Sequence, residues 1–502
     1  MEVNPRLFSL SNNLDSFVAA LIGFALIQFF SHHSGIGVSP DSVTYLSAAR
    51  HMGTGKGFTA FDNLPVVDFP IAYPFLLTSI SFVTGLDPLQ FGPYLNGFLF
   101  GLMIYISGSM MNGFEGSSRW YKRILLCCII LGPALQELYS LLWSETLFLN
   151  IMLLFILSIS KYLRKPDLKW LIISSIICSL ASLTRYAGVF LIATGVILIF
   201  FNREGNWRRR IFHSSVFGGI SIFIFLINII RNSLVTGMSM GPREKSIVGI
   251  WKNMEYFGDI LSEWLLLDKS PGLSISLTMM VLLIFITVLA YQYFKQKPGF
   301  RFEYIVALTG LIYSLFMLFT STISRYEQFT NRLLAPMFIP ILWSMSSWIP
   351  GFIETKSKTM KFIFMTGFLL LAALFLQIQL RADFEYYDGV KDAGVPGYRE
   401  DPFVQSDIVQ FLSKHNAIIN NGLTIYSNAA DAVYFITGLT SQEIPRKYFP
   451  QNVAYYYTLK NNYLVWFNNV ENDELPDLKT ILANKKLNLV QQFADGSIYV
   501  TQ

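Results

Sequence analysis

The sequence predicts a mainly α-helical polytopic membrane protein with about 11 transmembrane helices, followed by a small extracytoplasmic α/β domain. Three observations predict it. Hydrophobic residues fill 53% of the 502 positions and charged residues only 14%, where a soluble globular chain carries roughly a quarter charged residues. The apolar residues fall in runs of the length that crosses a bilayer core, about 20 residues in a helix. After residue 383 the pattern changes, and short β-rich runs alternate with helical ones. The same composition excludes a disordered chain, a collagen and a disulfide scaffold. The cysteines Cys127, Cys128 and Cys178 all sit inside apolar runs and are expected to be inert core residues.

In chain order the expected spans are 14–31, 90–110, 124–138, 140–159, 169–184, 186–201, 211–230, 273–294, 303–322, 333–350 and 361–381. A single basic residue, Arg6, precedes the first, and no Ala-x-Ala site follows it, so it is expected to be a retained span. The stretch 71–86 starts Ile71-Ala72-Tyr73-Pro74, is short, and is expected to lie in the membrane interface. With a cytoplasmic N-terminus, alternate loops collect the basic residues: Arg119, Lys122 and Arg123; Lys161, Arg164, Lys165 and Lys169; Arg203 and Arg208 to Arg210; Lys295, Lys297 and Arg301; Lys356, Lys358 and Lys361. This is the positive-inside distribution. Counting 71–86 as a span would invert every later loop.

Two outer loops are long, about 32–89 and 231–272. The expected division is a membrane module 1–383 and a soluble outer domain 384–502. Strands are expected near 423–427, 463–467, 487–493 and 497–501, with helices at 402–415 and 475–484. Acidic residues outnumber basic ones 14 to 9 in 383–502, so the basic excess belongs to the membrane part and reports topology.

In the first outer loop Ser39 is a good N-cap and Pro40 suits the first helical position. Val43, Leu46, Ala49 and Met52 then share one helical face. Asp41 falls in the first turn, where the helix dipole favours its ionised form. Spacing alone leaves two readings of Asp41, a capping acid or a functional one. Gly53-Thr54-Gly55-Lys56-Gly57 lacks the phosphate-loop spacing and is expected to be a turn. Asp62 and Asp68 are loop acids, with Asp68 just ahead of Pro70 and Pro74. Ionisable groups near lipid are costly, so those at the outer ends of spans draw notice. They are Glu145, Arg185, Arg325, Glu327 and Arg332, with Arg243 and Lys245 in the second long loop. Glu145 is placed about one turn inside its span, and an ion pair with Arg185 is the plain structural reading. Several arginines on one outer face suit an anionic, lipid-embedded substrate. The run Tyr455-Tyr456-Tyr457 suits a core better than a sugar-stacking surface.

At these residues the chain resembles the GT-C superfamily of integral-membrane glycosyltransferases. It is most similar to the protein O-mannosyltransferase and aminoarabinose transferase group, in its bacterial polyprenyl-phosphate-sugar-dependent form. The resemblance is carried by Asp41-Ser-Val-Thr-Tyr-Leu-Ser-Ala-Ala-Arg50, Asp68-Phe-Pro-Ile-Ala-Tyr-Pro74, Ser144-Glu145-Thr-Leu-Phe-Leu149, Leu183-Thr-Arg185-Tyr-Ala-Gly188, Arg231-Asn232 and Arg332-Leu-Leu-Ala-Pro336. It implies Asp41 as catalytic base, and Arg332, with Arg243, Arg185 and Lys245, as ligands of the donor phosphate. Many relatives carry a second acid beside the first. Here Ser42 follows Asp41, and the second carboxylate falls to Asp68, Asp62 or Glu145.

The resemblance further implies an inverting transfer of a sugar from a polyprenyl-phosphate donor to a hydroxyl of a glycan, lipid or protein. No cofactor is expected; loop carboxylates could hold a divalent metal, but no ligand cluster supports one. The expected setting is the plasma (inner) membrane, without nucleic acid as a partner. The rivals are an O-antigen polymerase or ligase using a diphosphate donor, and a transporter or flippase of lipid-linked sugars. Sparse charge within the spans disfavours ion-coupled transport.

Overall fold

The computed structural model describes residues 12–114, 118–202, 206–295, 301–325, 328–470 and 472–501; Arg6, Arg203, Lys297 and Glu327 lie outside them. Packing divides the chain into two compact units. One comprises Met1–Phe30, Val67–Tyr73 and Pro93–Asp388, the other Ser31–Val66, Pro74–Gly92 and Gly389–Gln502. The expected boundary at 383/384 falls inside one continuous helix, Lys358–Ala393. Most of the first outer loop packs with the C-terminal region, although over 300 residues separate them in sequence.

The first unit is helical. Among the described residues seven helices are long and apolar enough to cross a membrane: Pro88–Met111, Glu145–Arg164, Trp207–Thr236, Pro271–Phe294, Phe302–Ile323, Asn331–Glu354 and Lys358–Ala393. Arg119–Ile130 and Pro133–Ser140 make an eighth if they form one span bent by 50°. Leu14–Phe30, Leu168–Thr184 and Tyr186–Phe200 are shorter apolar helices, so eleven crossings require all three to span. Ala72–Thr84, 13 residues long, coincides with the stretch expected in the interface.

The bend at 131–132 was expected to be continuous span. Pro133 lacks an N–H and its ring disfavours helical backbone at Gly132, which adopts φ −80°, ψ 106°. The corner helix Pro133–Ser140 ends on extended Leu141, and the chain re-enters helix at Glu145. Glu145 therefore opens its helix instead of lying one turn inside it. A helix not foreseen, Ile250–Trp264, occupies the second long outer loop.

The second unit holds a five-stranded sheet of order β2-β1-β3-β5-β4, with β1 Thr424–Ser427, β2 Ser441–Glu443, β3 Asn462–Phe467, β4 Leu487–Gln492 and β5 Gly496–Thr501. β1 pairs in parallel with β2 and β3, while β5 pairs antiparallel with β3 and β4. Side chains alternate across a strand. Accordingly Tyr463, Val465 and Phe467 of β3 join one core with Ile408, Leu412 and Val433, and Leu464 joins the other with Tyr456 and Ile481. Both faces are covered, which is why β3 reads as an unbroken apolar run. Of the tyrosine run, Tyr456 is fully buried and Tyr455 is exposed.

The loop helix Pro40–Gly53 belongs to this unit. Ser39 caps it in a capping box with Ser42, and Val43, Leu46 and Ala49 are buried. Gly55 and Gly57 take φ of 80° and 81° in the turn that ends it.

Candidate active site

In the helical unit Glu145 gathers the arginines. Its side chain is 1% exposed, and its Oε1 pairs with both Arg185 and Arg332. Ser144 Oγ donates to the other carboxylate oxygen at 3.3 Å and accepts from Arg185 Nη1 at 3.4 Å. The Arg332 guanidinium also lies 4.4 Å from the centre of the Trp143 ring. Each element contributes through its end: Glu145 opens one helix, Arg185 ends Leu168–Thr184, and Arg332 lies in the first turn of Asn331–Ser346. Beside Arg332, Asn331 accepts from the Trp264 indole at 3.0 Å and donates to Glu137 at 3.2 Å.

Tyr186 extends the cluster. Its hydroxyl donates to Val67 O at 2.7 Å and accepts from Asn232 at 2.9 Å, and Arg231 donates to the Asn232 side chain at 3.1 Å. The charges of Asp68 and Arg243 both reach Tyr186. Gly241, at φ 73°, lies against the Asp68 carboxylate, where any Cβ would collide with it. Thus Asp68 and Arg243 both act on Tyr186, the residue that follows Arg185. The Lys245 side chain is exposed; its backbone bridges to Ser324. The same pairing brings Arg325 to Glu244, 3.1 Å apart.

Asp41 lies in the second unit, half-buried in the first turn of the loop helix. The helix Ala430–Thr437 packs against the loop helix, and its Asp431 is close enough for the charge on Asp41 to act on it. Asp431 is buried and accepts from the Tyr398 hydroxyl at 2.7 Å. Burial pushes the Asp431 carboxyl above the ordinary carboxylate range, against the pull of that hydroxyl. At the other end of the loop helix Arg50 pairs with Asp87 at 2.8 Å and interacts with Tyr434, whose ring also meets His51 and Phe61. Asp62 accepts from Leu64 N at 2.8 Å in its own turn, and burial raises its carboxyl too. Asp431 and Tyr398 were absent from the sequence reading. Nothing in their spacing ties them to residue 41; only an acid in the first turn of a short helix was there to notice.

Among the described residues no three His, Cys, Asp or Glu side chains are grouped to hold a metal ion.

No family model matches the sequence, and no curated protein matches it by sequence. Solved structures match its fold. ArnT from Cupriavidus metallidurans, bound to undecaprenyl phosphate, aligns over 97% of both chains with a TM-score of 0.59 at 14% identity. The archaeal oligosaccharyltransferase AglB from Archaeoglobus fulgidus, in complex with an inhibitory peptide and a dolichol-phosphate, aligns over 98% of this chain and 74% of its own, with a TM-score of 0.54 at 11% identity. The mycobacterial arabinofuranosyltransferase AftD, as mutant R1389S, aligns over 96% of this chain and 41% of its own, with a TM-score of 0.52 at 12% identity. The chain has the GT-C fold of these glycosyltransferases.

Proposed function

We propose that the protein is an inverting glycosyltransferase that moves a sugar from a polyprenyl-phosphate donor to a hydroxyl acceptor at the outer face of the plasma (inner) membrane. The observation that carries this is the convergence of Arg185 and Arg332 on buried Glu145 within a fold shared with enzymes solved with polyprenyl or dolichol phosphates. A carboxylate between two guanidiniums holds them in register. Planar guanidiniums suit phosphate oxygens and the charge that develops as the phosphate leaves. Arg243 and Lys245 add positive charge from the second long loop.

An apolar cavity in the same unit suits a lipid tail. Of about 360 Å³, it is lined by Leu125, Leu261, Trp264, Val281, Phe338 and Leu371 among others. Trp264 of this lining bonds Asn331, the residue before Arg332.

In the reaction, Asp41 accepts the proton of the acceptor hydroxyl as its oxygen bonds the anomeric carbon. The bond from that carbon to the phosphate oxygen breaks, and the electron pair leaves with the polyprenyl phosphate. Attack opposite the leaving group inverts the anomeric centre. The outer domain is soluble and extracytoplasmic, and the reaction needs no cofactor.

The test is transfer by purified protein in nanodiscs, with panels of polyprenyl-phosphate and polyprenyl-diphosphate sugars. Turnover of a monophosphate donor, lost in Asp41→Asn, is expected. Turnover of diphosphates alone would move the protein to the polymerase or ligase class. Donor translocation without transfer would identify a flippase.

A further inference from the structure

Six residues next to the arginine cluster close a ring within the helical unit. Gln136, on the corner helix Pro133–Ser140, donates from its amide to Asp383 Oδ2 at 2.8 Å and to Ile130 O at 2.9 Å. One turn before Asp383 on the long helix Lys358–Ala393, Gln379 donates to Trp264 O at 2.7 Å. The Trp264 indole donates in turn to Asn331, and Asn331 donates to Glu137, the neighbour of Gln136. Four helices meet here: the corner helix, Ile250–Trp264, Asn331–Ser346 and the long helix.

What the ring leaves over is all of one kind. Gln136 Oε1, Gln379 Oε1 and Asp383 Oδ1 are buried oxygens that accept no hydrogen bond from any described residue. Gln136 and Gln379 are fully buried, and Asp383 is 7% exposed. Both N–H groups of Gln136 are spent on acceptors, so turning its amide would only break two bonds. A buried acceptor without a donor is destabilising, and native chains keep few of them. Three in one ring, one of them on a carboxylate, require O–H or N–H groups from a ligand. The surroundings fit an amphiphile. Phe368, Leu371, Ala372 and Phe375 of the long helix line the apolar cavity, and Gln379 follows one turn after Phe375. Trp264 belongs to both the cavity lining and the ring, and Asn331 of the ring precedes Arg332.

We propose that this ring is the subsite for the sugar of the lipid-linked donor, whose hydroxyls donate to Gln136, Gln379 and Asp383, and that it selects a neutral sugar over an acidic one. This rests on the reading of the protein as a glycosyltransferase with a polyprenyl-phosphate donor. A sugar hydroxyl supplies the proton that each of the three oxygens lacks. A sugar carboxylate is negative and acceptor-only; it meets three acceptors and the acids Asp383 and Glu137, and is rejected.

The experiment uses full-length protein in nanodiscs and three probes. They are polyprenyl phosphate alone, a panel of polyprenyl-phosphate-linked neutral hexoses and pentoses, and polyprenyl-phosphate-linked hexuronic acids. A neutral sugar is expected to raise the melting temperature beyond the shift given by the bare phosphate, and a uronic acid is not. Asp383→Asn keeps an oxygen on the Gln136 amide and presents an N–H where Oδ1 stood. It is expected to lower kcat/KM for the neutral donor by ~10-fold to 100-fold and to raise it for the uronic acid. Gln379→Leu removes one acceptor and lowers kcat/KM for the neutral donor by ~10-fold, with the melting shift from bare polyprenyl phosphate unchanged. A ring with only a structural role, or one whose oxygens bond buried water alone, would move all probes together or none. Either result, or a wild-type protein that takes uronic acids as readily, would overturn the subsite and leave the glycosyltransferase reading standing. If bare polyprenyl phosphate gave no melting shift and no donor turned over, that reading would fail first and take the subsite with it.

Discussion

The two units handle a buried acid in opposite ways. In the helical unit Glu145 faces two guanidiniums; in the second unit Asp431 faces a phenol. An isolated charge in an apolar surrounding is prohibitively costly; the arginines offset that cost at Glu145, whereas at Asp431 burial still favours the neutral acid. The consequences differ. Two arginines meet on one acid, an arrangement that suits an anion under the proposed function. A phenol donates one hydrogen bond without cancelling charge. Under the proposed function, anion binding falls to one unit and proton transfer to the other.

Asp41→Asn attacks the proton-accepting side and carries the largest expected effect, a loss of ~10²–10⁴ in transfer rate, read by donor turnover. On the anion side, Glu145→Gln removes the carboxylate that Arg185 and Arg332 share. Breaking a buried pair costs about 3–5 kcal/mol, to be measured as lost thermal stability in nanodiscs. Arg332→Ala removes one of the proposed phosphate ligands and the contact with Trp143. A fall of ~10²–10³ in kcat/KM is expected, in the range seen when one transition-state donor is deleted. If Arg332→Ala lowered stability and left transfer intact, the cluster would be structural and the contrast would collapse.

Smaller effects sharpen the picture of the second unit. Tyr456 is fully buried against Leu464 and Ile481, so Tyr456→Ala should cost about 3–5 kcal/mol there. The readout is faster hydrogen exchange in β3 and β5, with the helical unit unchanged. Lys485 is buried, with its ammonium donating to Tyr456 O at 2.6 Å and Leu459 O at 2.9 Å. Burial lowers its pKa from 10.5 to about 8. The unfolded chain therefore binds more protons between those values, and stability should rise as pH climbs through that window. The burial penalty is fully present below it. Lys485→Met should flatten that slope, measured as exchange in the same strands at pH 7 and pH 9.5.

The apolar runs and the alternation of basic loops identified the helical unit without a structure, because lipid allows few arrangements of a backbone. Ser39, Pro40 and the spacing of Val43, Leu46 and Ala49 likewise predicted the loop helix, since caps and periodicity are local. The bend at Gly132-Pro133 carried its signal in the proline, but the apolar run around it reads as one span. Clustered arginines were visible as residues at span ends; that Arg185 and Arg332 meet on one carboxylate was not, because 147 positions separate them. Asp431 and Tyr398 lie still further from Asp41, and no periodicity reaches across such a distance. The sequence determined the class of protein, its helices and the acid at residue 41, all set by neighbours along the chain and by the solvent around it. Only the tertiary structure decided which charges meet, because pairing of distant ionisable groups is fixed by packing.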